Sequence, residues 1–195
     1  MAILFSLATI FHRVAIFKPR AERELLLRAR NGERESVEIL FNRQREAIFR
    51  LCYQILQERE SAEDAAQEVL LRAFEKMPSF RGESEFSTWI YRIALNFCLE
   101  KQRALARRTA LFDGEVENHD SPDFARHVDS KLALVQTLDQ LPEYLKIALI
   151  LREWHHKSYE EIALILGIPV GTVKSRINEA RKRFKQLWEA QNGDL

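Results

Sequence analysis

The sequence predicts an all-α protein with two helical domains joined by a flexible acidic linker. Only 6 glycines and 5 prolines occur among its 195 residues, which leaves few of the turn residues that many short strands would need. Apolar residues recur at three- and four-residue steps, the helical period, over residues 22–108 and again over 131–195. Residues 109–130 hold 6 acidic side chains and 1 basic one, as a solvated linker would.

Composition and charge exclude several classes of protein. With 30 Lys and Arg against 29 Asp and Glu, the chain has no global field that would attract nucleic acid or a membrane. An apolar fraction of 46% is typical of a folded protein rather than a disordered or membrane one. Cys52 and Cys98 are too few for a disulfide framework and are spaced among apolar residues. Reduced core thiols in a cytoplasmic protein are therefore expected.

An apolar N-terminal extension, residues 1–21, precedes the first domain. His12 and Arg13 interrupt its apolar run, which is shorter than the roughly 20 residues that span a bilayer. A secretory signal would show basic residues before the apolar run and a small-residue cleavage site after it, and neither is present. Three structures are possible for this extension: an amphipathic docking helix, a helix folded onto the next domain, or a poorly ordered segment.

Four helices are predicted in residues 22–108. Asn31-Gly32 ends the first helix, and the second runs to about Gln57. Ser61 is predicted to cap the third helix, which Pro78 stops. After the polar loop 79–84, the apolar period resumes for a fourth helix.

The second domain contains a predicted helix-turn-helix. Pro142 suits the start of one helix, and residues 158–161 (Ser-Tyr-Glu-Glu) form a capping box that opens a short helix. Residues 167–169 (Gly-Ile-Pro) forbid its continuation, and a last helix begins at about Val170. Two short helices with a glycine-containing turn, the second of them basic, are typical of DNA-binding proteins.

The last helix has the local basic character that the whole chain lacks. Residues 171–186 hold six basic side chains and one acid. Val173, Ile177 and Ala180 are expected to face inward. The polar residues left near its N-terminal end can meet base edges or phosphates: Thr172, Lys174, Ser175, Arg176, Asn178 and Glu179. The alternative is a solvated basic helix.

Three motifs resemble one known family. Residues 158–163 and 167–177 resemble the C-terminal DNA-binding domain of sigma-70 family transcription initiation factors. Residues 62–74 resemble the polymerase-binding helix of that family, and residues 80–94 resemble its strand-opening segment. The resemblance covers residues 22–190, and the two-domain layout is similar to the extracytoplasmic function (ECF) group. It implies sigma region 2 at 22–108 and sigma region 4 at 131–195.

The resemblance also implies partners and sites. The partners are core RNA polymerase, promoter DNA and an anti-sigma factor, with no small-molecule substrate. The implied core-polymerase-binding residues are Asp64, Gln67, Glu68, Leu71 and Phe74. The implied −10 DNA-binding residues are Phe80, Arg81, Gly82, Glu83, Ser84, Arg92, Asn96, Lys101 and Arg103. The implied −35 DNA-binding residues are Ser158, Thr172, Lys174, Ser175, Arg176, Asn178, Glu179, Arg181 and Lys182.

Several alternatives stay open at this point. The acidic residues of the third helix could be a solvated face instead of a polymerase-binding surface, and Phe80 could anchor the core instead of binding DNA. Glu179 could accept a hydrogen bond from cytosine in the DNA, or it could pair with Arg176 or Arg183 along the helix. The whole chain could also be a stand-alone dimeric helix-turn-helix regulator, with polymerase-independent footprints.

The linker length bears on how two such domains act together. Its 22 residues reach about 75 Å when fully extended, or about 20 base pairs of duplex. The domains are therefore expected to contact separate elements on one DNA molecule. They are also expected to be flexibly disposed when the protein is free.

No enzyme active site can be assembled from the sequence. The glycines are scattered, so no phosphate-binding loop occurs, and the serine-nucleophile motif is absent. His155 and His156 are adjacent and cannot share a helix face, and no other histidine has metal-ligand spacing. The sequence therefore predicts a solvent-exposed histidine pair, no enzyme activity, no metal and no cofactor.

Overall fold

The computed structural model describes residues 19–111 and 128–192, with side chains described over 22–107 and 133–191. Within those ranges the chain is helical and has no strand, which confirms the predicted fold class. The N-terminal extension up to residue 18 and linker residues 112–127 lie outside the described residues. The helices are α1 (Pro19–Arg30), α2 (Arg34–Leu56), α3 (Arg59–Lys76), α4 (Phe86–Leu111), α5 (Val128–Asp139), α6 (Glu143–Glu153), α7 (Tyr159–Leu166) and α8 (Val170–Asn192).

Helices α1 to α4 form the first domain, in which α2 packs against each of the other three. The predicted stop at Asn31-Gly32 is confirmed, because α1 ends at Arg30 and Gly32 adopts a left-handed φ of 87°. Helix α2 ends as predicted at Gln57, whose backbone N–H donates to the Tyr53 carbonyl. Helix α3 stops at Lys76, just before a 3₁₀ turn over Met77–Ser79 that contains Pro78.

The predicted cap of α3 is wrong by three residues. The capping side chain is Glu58 rather than Ser61, and its carboxylate accepts the backbone N–H groups of Glu60 at 2.8 Å and Ser61 at 2.5 Å. Hydrogen bonds from Ser61 lower the pKa of Glu58. Glu58 takes this role because its backbone is extended, so a carboxylate there reaches the first free N–H groups of the helix.

Helices α5 to α8 form the second domain. The predicted capping box of α7 is confirmed, since the Ser158 hydroxyl accepts the Glu161 N–H while the Glu161 carboxylate accepts the Ser158 N–H. Gly167 ends α7 with a left-handed φ of 67°, as the predicted turn requires. The inward stripe of α8 is also confirmed, because Val173, Ile177 and Ala180 are fully buried.

The two domains are in direct contact, contrary to the expectation that they are flexibly disposed in the free protein. One cluster of buried apolar side chains runs from the first domain into α6, α7 and α8, and α4 packs against α7. The physical reason lies in α6, where every residue from 147 to 151 is buried. A helix that is apolar on all sides needs more cover than its own domain supplies.

Candidate nucleic-acid interface

The outward face of α8 is polar and accessible. Lys174, Ser175, Asn178 and Lys182 are exposed, while Thr172, Arg176 and Glu179 are half-buried along its edges. The buried stripe and the N-cap of α7 fix this face relative to the rest of the second domain. The helix therefore presents its N-terminal polar residues as a helix-turn-helix recognition helix does.

Several cations of α8 have partners within the chain. Arg181 donates from Nε and Nη2 to one Glu153 oxygen at 3.0 and 2.6 Å, and this contact raises the pKa of Arg181. Arg183 pairs with Glu179 at 2.7 Å. This pair is one of the two intrahelical alternatives predicted for Glu179.

Arg176 lies with its guanidinium 5.2 Å from the ring centre of Tyr144. Among the described residues, Lys174 and Lys182 have no ion pair, so they are the cations of α8 best placed to contact phosphates. Ser158 lies at the start of α7, where its hydroxyl oxygen is already used in the capping box.

In the first domain, the loop before α4 has exposed polar residues next to a cluster of packed aromatic side chains. Arg81 and Glu83 are exposed, and Gly82 adopts a φ of 74° that favours glycine. Phe80 is only 4% exposed and packs against Phe86 and Trp89, with ring centres 6.0 and 5.1 Å away. Its ring face is not available to stack on a base, as the core-anchor alternative for Phe80 expects.

Helix α4 presents a polar stripe that we call the basic stripe: Arg92, Asn96 and Arg103. All three are exposed, and they fall within about 40° of one another around the helix. Arg107 is exposed one turn beyond Arg103 and extends the stripe. Arg107 was not among the predicted residues, although its four-residue spacing from Arg103 was a usable signal.

Lys101 is not part of the basic stripe, and its DNA contact stays a prediction. It lies on the opposite side of α4, about 180° from Arg92. Its ammonium donates to the Ser61 carbonyl oxygen at 3.2 Å. This contact joins α4 to the first turn of α3, so the charge serves helix packing.

Helix α3 has a shallow groove beside it, which we call the docking groove. Four of the five predicted polymerase-binding residues line it together with Arg72, Phe97 and Lys101: Asp64, Gln67, Glu68 and Leu71. Leu71 is 60% exposed, and Phe74, one turn further along, is 56% exposed. Exposed large apolar side chains beside an open polar groove are typical of a protein-binding surface.

Arg72 forms one wall of the docking groove. It donates to Glu68 at 2.8 Å, and its guanidinium lies 4.5 Å from the ring centre of Phe97. Leu71 and Phe74, by contrast, have more than half of their surface in solvent and add little to the core. The groove therefore has a polar wall at Arg72 and Glu68 and apolar side chains at its rim.

His155 is the largest departure from the sequence prediction. Instead of an exposed pair, only His156 is exposed, while His155 is half-buried where the two domains meet. Its Nε2 lies 2.8 Å from Gln54 Oε1 and its Nδ1 lies 2.8 Å from the Tyr91 hydroxyl. A neutral ring that donates from Nε2 and accepts at Nδ1 satisfies both partners. Residue spacing could not reveal this contact because it joins residues 101 and 64 positions apart.

Burial lowers the pKa of His155 to about 3, and the positive charges of Arg50, Lys157 and His156 add to the effect. The unfolded chain binds a proton on this residue below about pH 6.5, whereas the native structure does not. The contribution of His155 to the free energy of unfolding is therefore complete above pH 6.5 and is lost as the pH falls toward 3.

We predict that the free energy of unfolding falls by about 1.5 kcal/mol between pH 6.5 and pH 5 because of His155. This window lies above the usual carboxyl range, so Glu58 and Glu161, whose pKa values are lowered, contribute little to it. Chemical denaturation at both pH values measures the change. An equal fall in His155→Gln would show that another group is responsible.

In the part of the chain that the structure describes, no group of three or more His, Cys, Asp and Glu side chains is arranged to hold a metal ion. None of the described helices is long and apolar enough to cross a membrane. Cys52 and Cys98 are free and fully buried, and the hydrogen bond with Cys98 raises the pKa of the Cys52 thiol.

Two family models match this chain: Sigma-70 region 2 over residues 40–108, and Sigma-70, region 4 over residues 131–184. The RNA polymerase sigma-H factor of Pseudomonas aeruginosa is 36% identical over 174 residues, covering 83% of this chain and 90% of that protein. The ECF RNA polymerase sigma-E factor of Haemophilus influenzae is 35% identical over 177 residues, covering 84% and 93%.

Solved structures give the same result. CnrH in complex with the cytosolic domain of CnrY matches with a TM-score of 0.69 and 25% identity, covering 87% of this chain and 98% of that one. The sigma factor RpoE in complex with the anti-sigma factor NepR from Bartonella quintana matches with a TM-score of 0.66 and 27% identity, covering 78% and 94%.

Two helical domains, the second with the exposed recognition helix of a helix-turn-helix, define a DNA-binding transcription factor. The chain belongs to the sigma-70 family, in the ECF group of RNA polymerase sigma factors. Its function is promoter-specific transcription initiation.

Proposed function

We propose that the first domain of this sigma factor docks on core RNA polymerase and melts the −10 promoter element, while α8 reads the −35 element. The observation that supports this division most directly is the outward face of α8, where Lys174, Ser175, Asn178 and Lys182 are exposed over a fully buried stripe. A helix anchored in this way enters the major groove with its polar N-terminal half.

In this proposal, the loop before α4 and the basic stripe bind the −10 element. Arg81 and the backbone around Gly82 receive an unstacked base of the non-template strand, with Phe80 supporting the loop from below. Arg92 and Arg103 then follow the phosphates of the upstream duplex. This division assigns no base stacking to Phe80 and no DNA contact to Lys101.

Core polymerase occupies the docking groove. Leu71 and Phe74 are the apolar anchors, and Asp64, Gln67 and Glu68 supply polar contacts around them. The polymerase provides the chemistry of RNA synthesis. The sigma factor therefore needs no catalytic group, metal or cofactor of its own, and it acts in the cytoplasm, where the polymerase and promoter are.

An anti-sigma factor is the third proposed partner. The structures of CnrH and RpoE that match this chain were each solved in complex, RpoE with a protein named as an anti-sigma factor. The exposed side chains of Leu71 and Phe74 would be the natural target of such an inhibitor, because covering them blocks docking on polymerase.

Two alanine variants of α8 separate base reading from phosphate binding. Lys182→Ala should weaken binding to all promoter sequences alike and reduce the salt dependence of binding by about one unit, because it removes one phosphate contact. Glu179→Ala should relax the preference for cytosine at a single −35 position, with a discrimination of about 1–3 kcal/mol.

Selection of −35 sequences with holoenzyme from wild type and each variant measures both effects. If Glu179→Ala returns the same sequence preference as wild type, the carboxylate only pairs with Arg183, as it does in the free chain. Base reading by Glu179 would then be excluded. Binding of the −35 element by α8 would still be tested by the Lys182→Ala result.

A further inference from the structure

Tyr144 of α6 places its aromatic ring beside one cation of the recognition helix α8. It lies in the first turn of α6 and is 44% exposed. The Arg176 guanidinium lies 5.2 Å from the centre of this ring, within the range of a cation–π contact. The next residue, Leu145, is fully buried in a cluster with Ala180 of α8. The packing of α6 on α8 therefore sets where the ring lies relative to Arg176.

The charge of Arg176 is not used up by a carboxylate. Glu179 lies three residues further along α8, close enough for an ion pair on the helix surface. Glu179 instead pairs with Arg183 at 2.7 Å, and Arg176 has no ion pair among the described residues. A cation–π contact covers the flat face of the guanidinium and leaves the N–H donors around its edge available. Tyr144 therefore holds Arg176 without neutralising it.

The place of Arg176 on α8 favours contact with a phosphate rather than a base. Arg176 is half-buried and lies about 60° around the helix from the centre of the buried stripe. Ser175 and Asn178 lie on the opposite side of α8, which faces the floor of the major groove when such a helix enters it. A side chain on the flank meets the sugar-phosphate backbone instead. The forked donors of arginine fit phosphate oxygens there.

We propose that Tyr144 is a positioning residue for promoter binding: its ring holds the Arg176 guanidinium on the flank of α8, where it meets one phosphate of the −35 element. This inference rests on the proposed role of α8 in binding that element. Without the ring, Arg176 regains the freedom of a long side chain and can pair with Glu179. Both changes oppose the phosphate contact, so loss of the ring weakens DNA binding although Tyr144 does not touch the DNA.

Three single substitutions test this role in holoenzyme that binds a promoter fragment identified by run-off transcription. Arg176→Ala should weaken binding about tenfold and reduce its salt dependence by about one unit, because one phosphate contact is lost. Tyr144→Leu should weaken binding about two- to fivefold, as expected for an exposed cation–π contact, at unchanged salt dependence. Tyr144→Phe is the matched control. It keeps the ring and removes only the hydroxyl, so it should bind as wild type does.

A double variant separates positioning from a merely structural role of the ring. If Tyr144 acts through Arg176, Tyr144→Leu should cause no further loss of affinity in the Arg176→Ala background. A ring that only supported the fold of the second domain would matter equally in both backgrounds. Thermal unfolding of each variant checks the fold, and it should change little because both side chains are partly exposed.

Several results would overturn the inference. These are equal losses from Tyr144→Leu in the wild-type and Arg176→Ala backgrounds, unchanged affinity in Tyr144→Leu, or binding by Tyr144→Phe as weak as that of Tyr144→Leu. Wild-type affinity in Arg176→Ala would also overturn it, because Tyr144 would then have no DNA contact to position, while α8 could still bind DNA through Lys174 and Lys182. A wild-type holoenzyme that binds no promoter would instead overturn the proposed function, and the inference with it.

Discussion

Replacing both Leu71 and Phe74 by alanine should reduce the affinity for core RNA polymerase about 100-fold, because two exposed apolar anchors in one patch can each supply more than 1 kcal/mol of binding. The folded state should be nearly unaffected. Leu71 is 60% exposed and Phe74 is 56% exposed, so truncation removes little buried surface. Titration of labelled core polymerase measures the affinity, and thermal unfolding measures stability.

Leu27→Ala is the matched control for this pair. Leu27 is 53% exposed on α1, so its replacement by alanine removes exposed apolar surface outside the docking groove. Its affinity for polymerase should match wild type. If the folded double variant binds polymerase as tightly as the control does, Leu71 and Phe74 are not part of the docking surface.

Shortening the linker should abolish promoter-dependent transcription while leaving polymerase binding intact. Deleting residues 113–122 removes ten of the 22 residues in the predicted linker and about 35 Å of its reach. When a linker cannot span two sites, the second binding event gains no effective concentration from the first. The two domains could then not hold the −10 and −35 elements of one duplex together.

The same ten positions also allow a control for composition. Replacing residues 113–122 by ten glycines and serines keeps the reach but removes the acidic side chains of this stretch. Transcription should survive this replacement and fail only in the deletion. Full activity of the deletion variant would contradict recognition of two separate elements.

The helix ends show what could be predicted from sequence. Asn31-Gly32, the capping box at Ser158 and the glycine stop at 167 were all confirmed, because each depends on hydrogen bonds within a few residues of the chain. The missed cap at Glu58 is also local. It was missed because glutamate, unlike serine, is not among the residues preferred at the N-cap.

What the sequence could not show at the candidate site has a different cause. His155 and Lys101 are each held by a partner from a distant part of the chain, namely Gln54 and Ser61. Helical periodicity states which residues share a face but not which element covers that face. For the same reason the packing of α7 on α4 could not be predicted from periodicity.

Transcription from a defined promoter tests the central claim most directly. Purified sigma factor is added to purified core polymerase on genomic DNA fragments, and run-off transcripts are mapped. We predict discrete start sites that need both proteins, with paired −10 and −35 elements upstream and no footprint from the sigma factor alone. Footprints of a dimer on a pseudo-palindromic site without polymerase, and no transcript with it, would contradict the account.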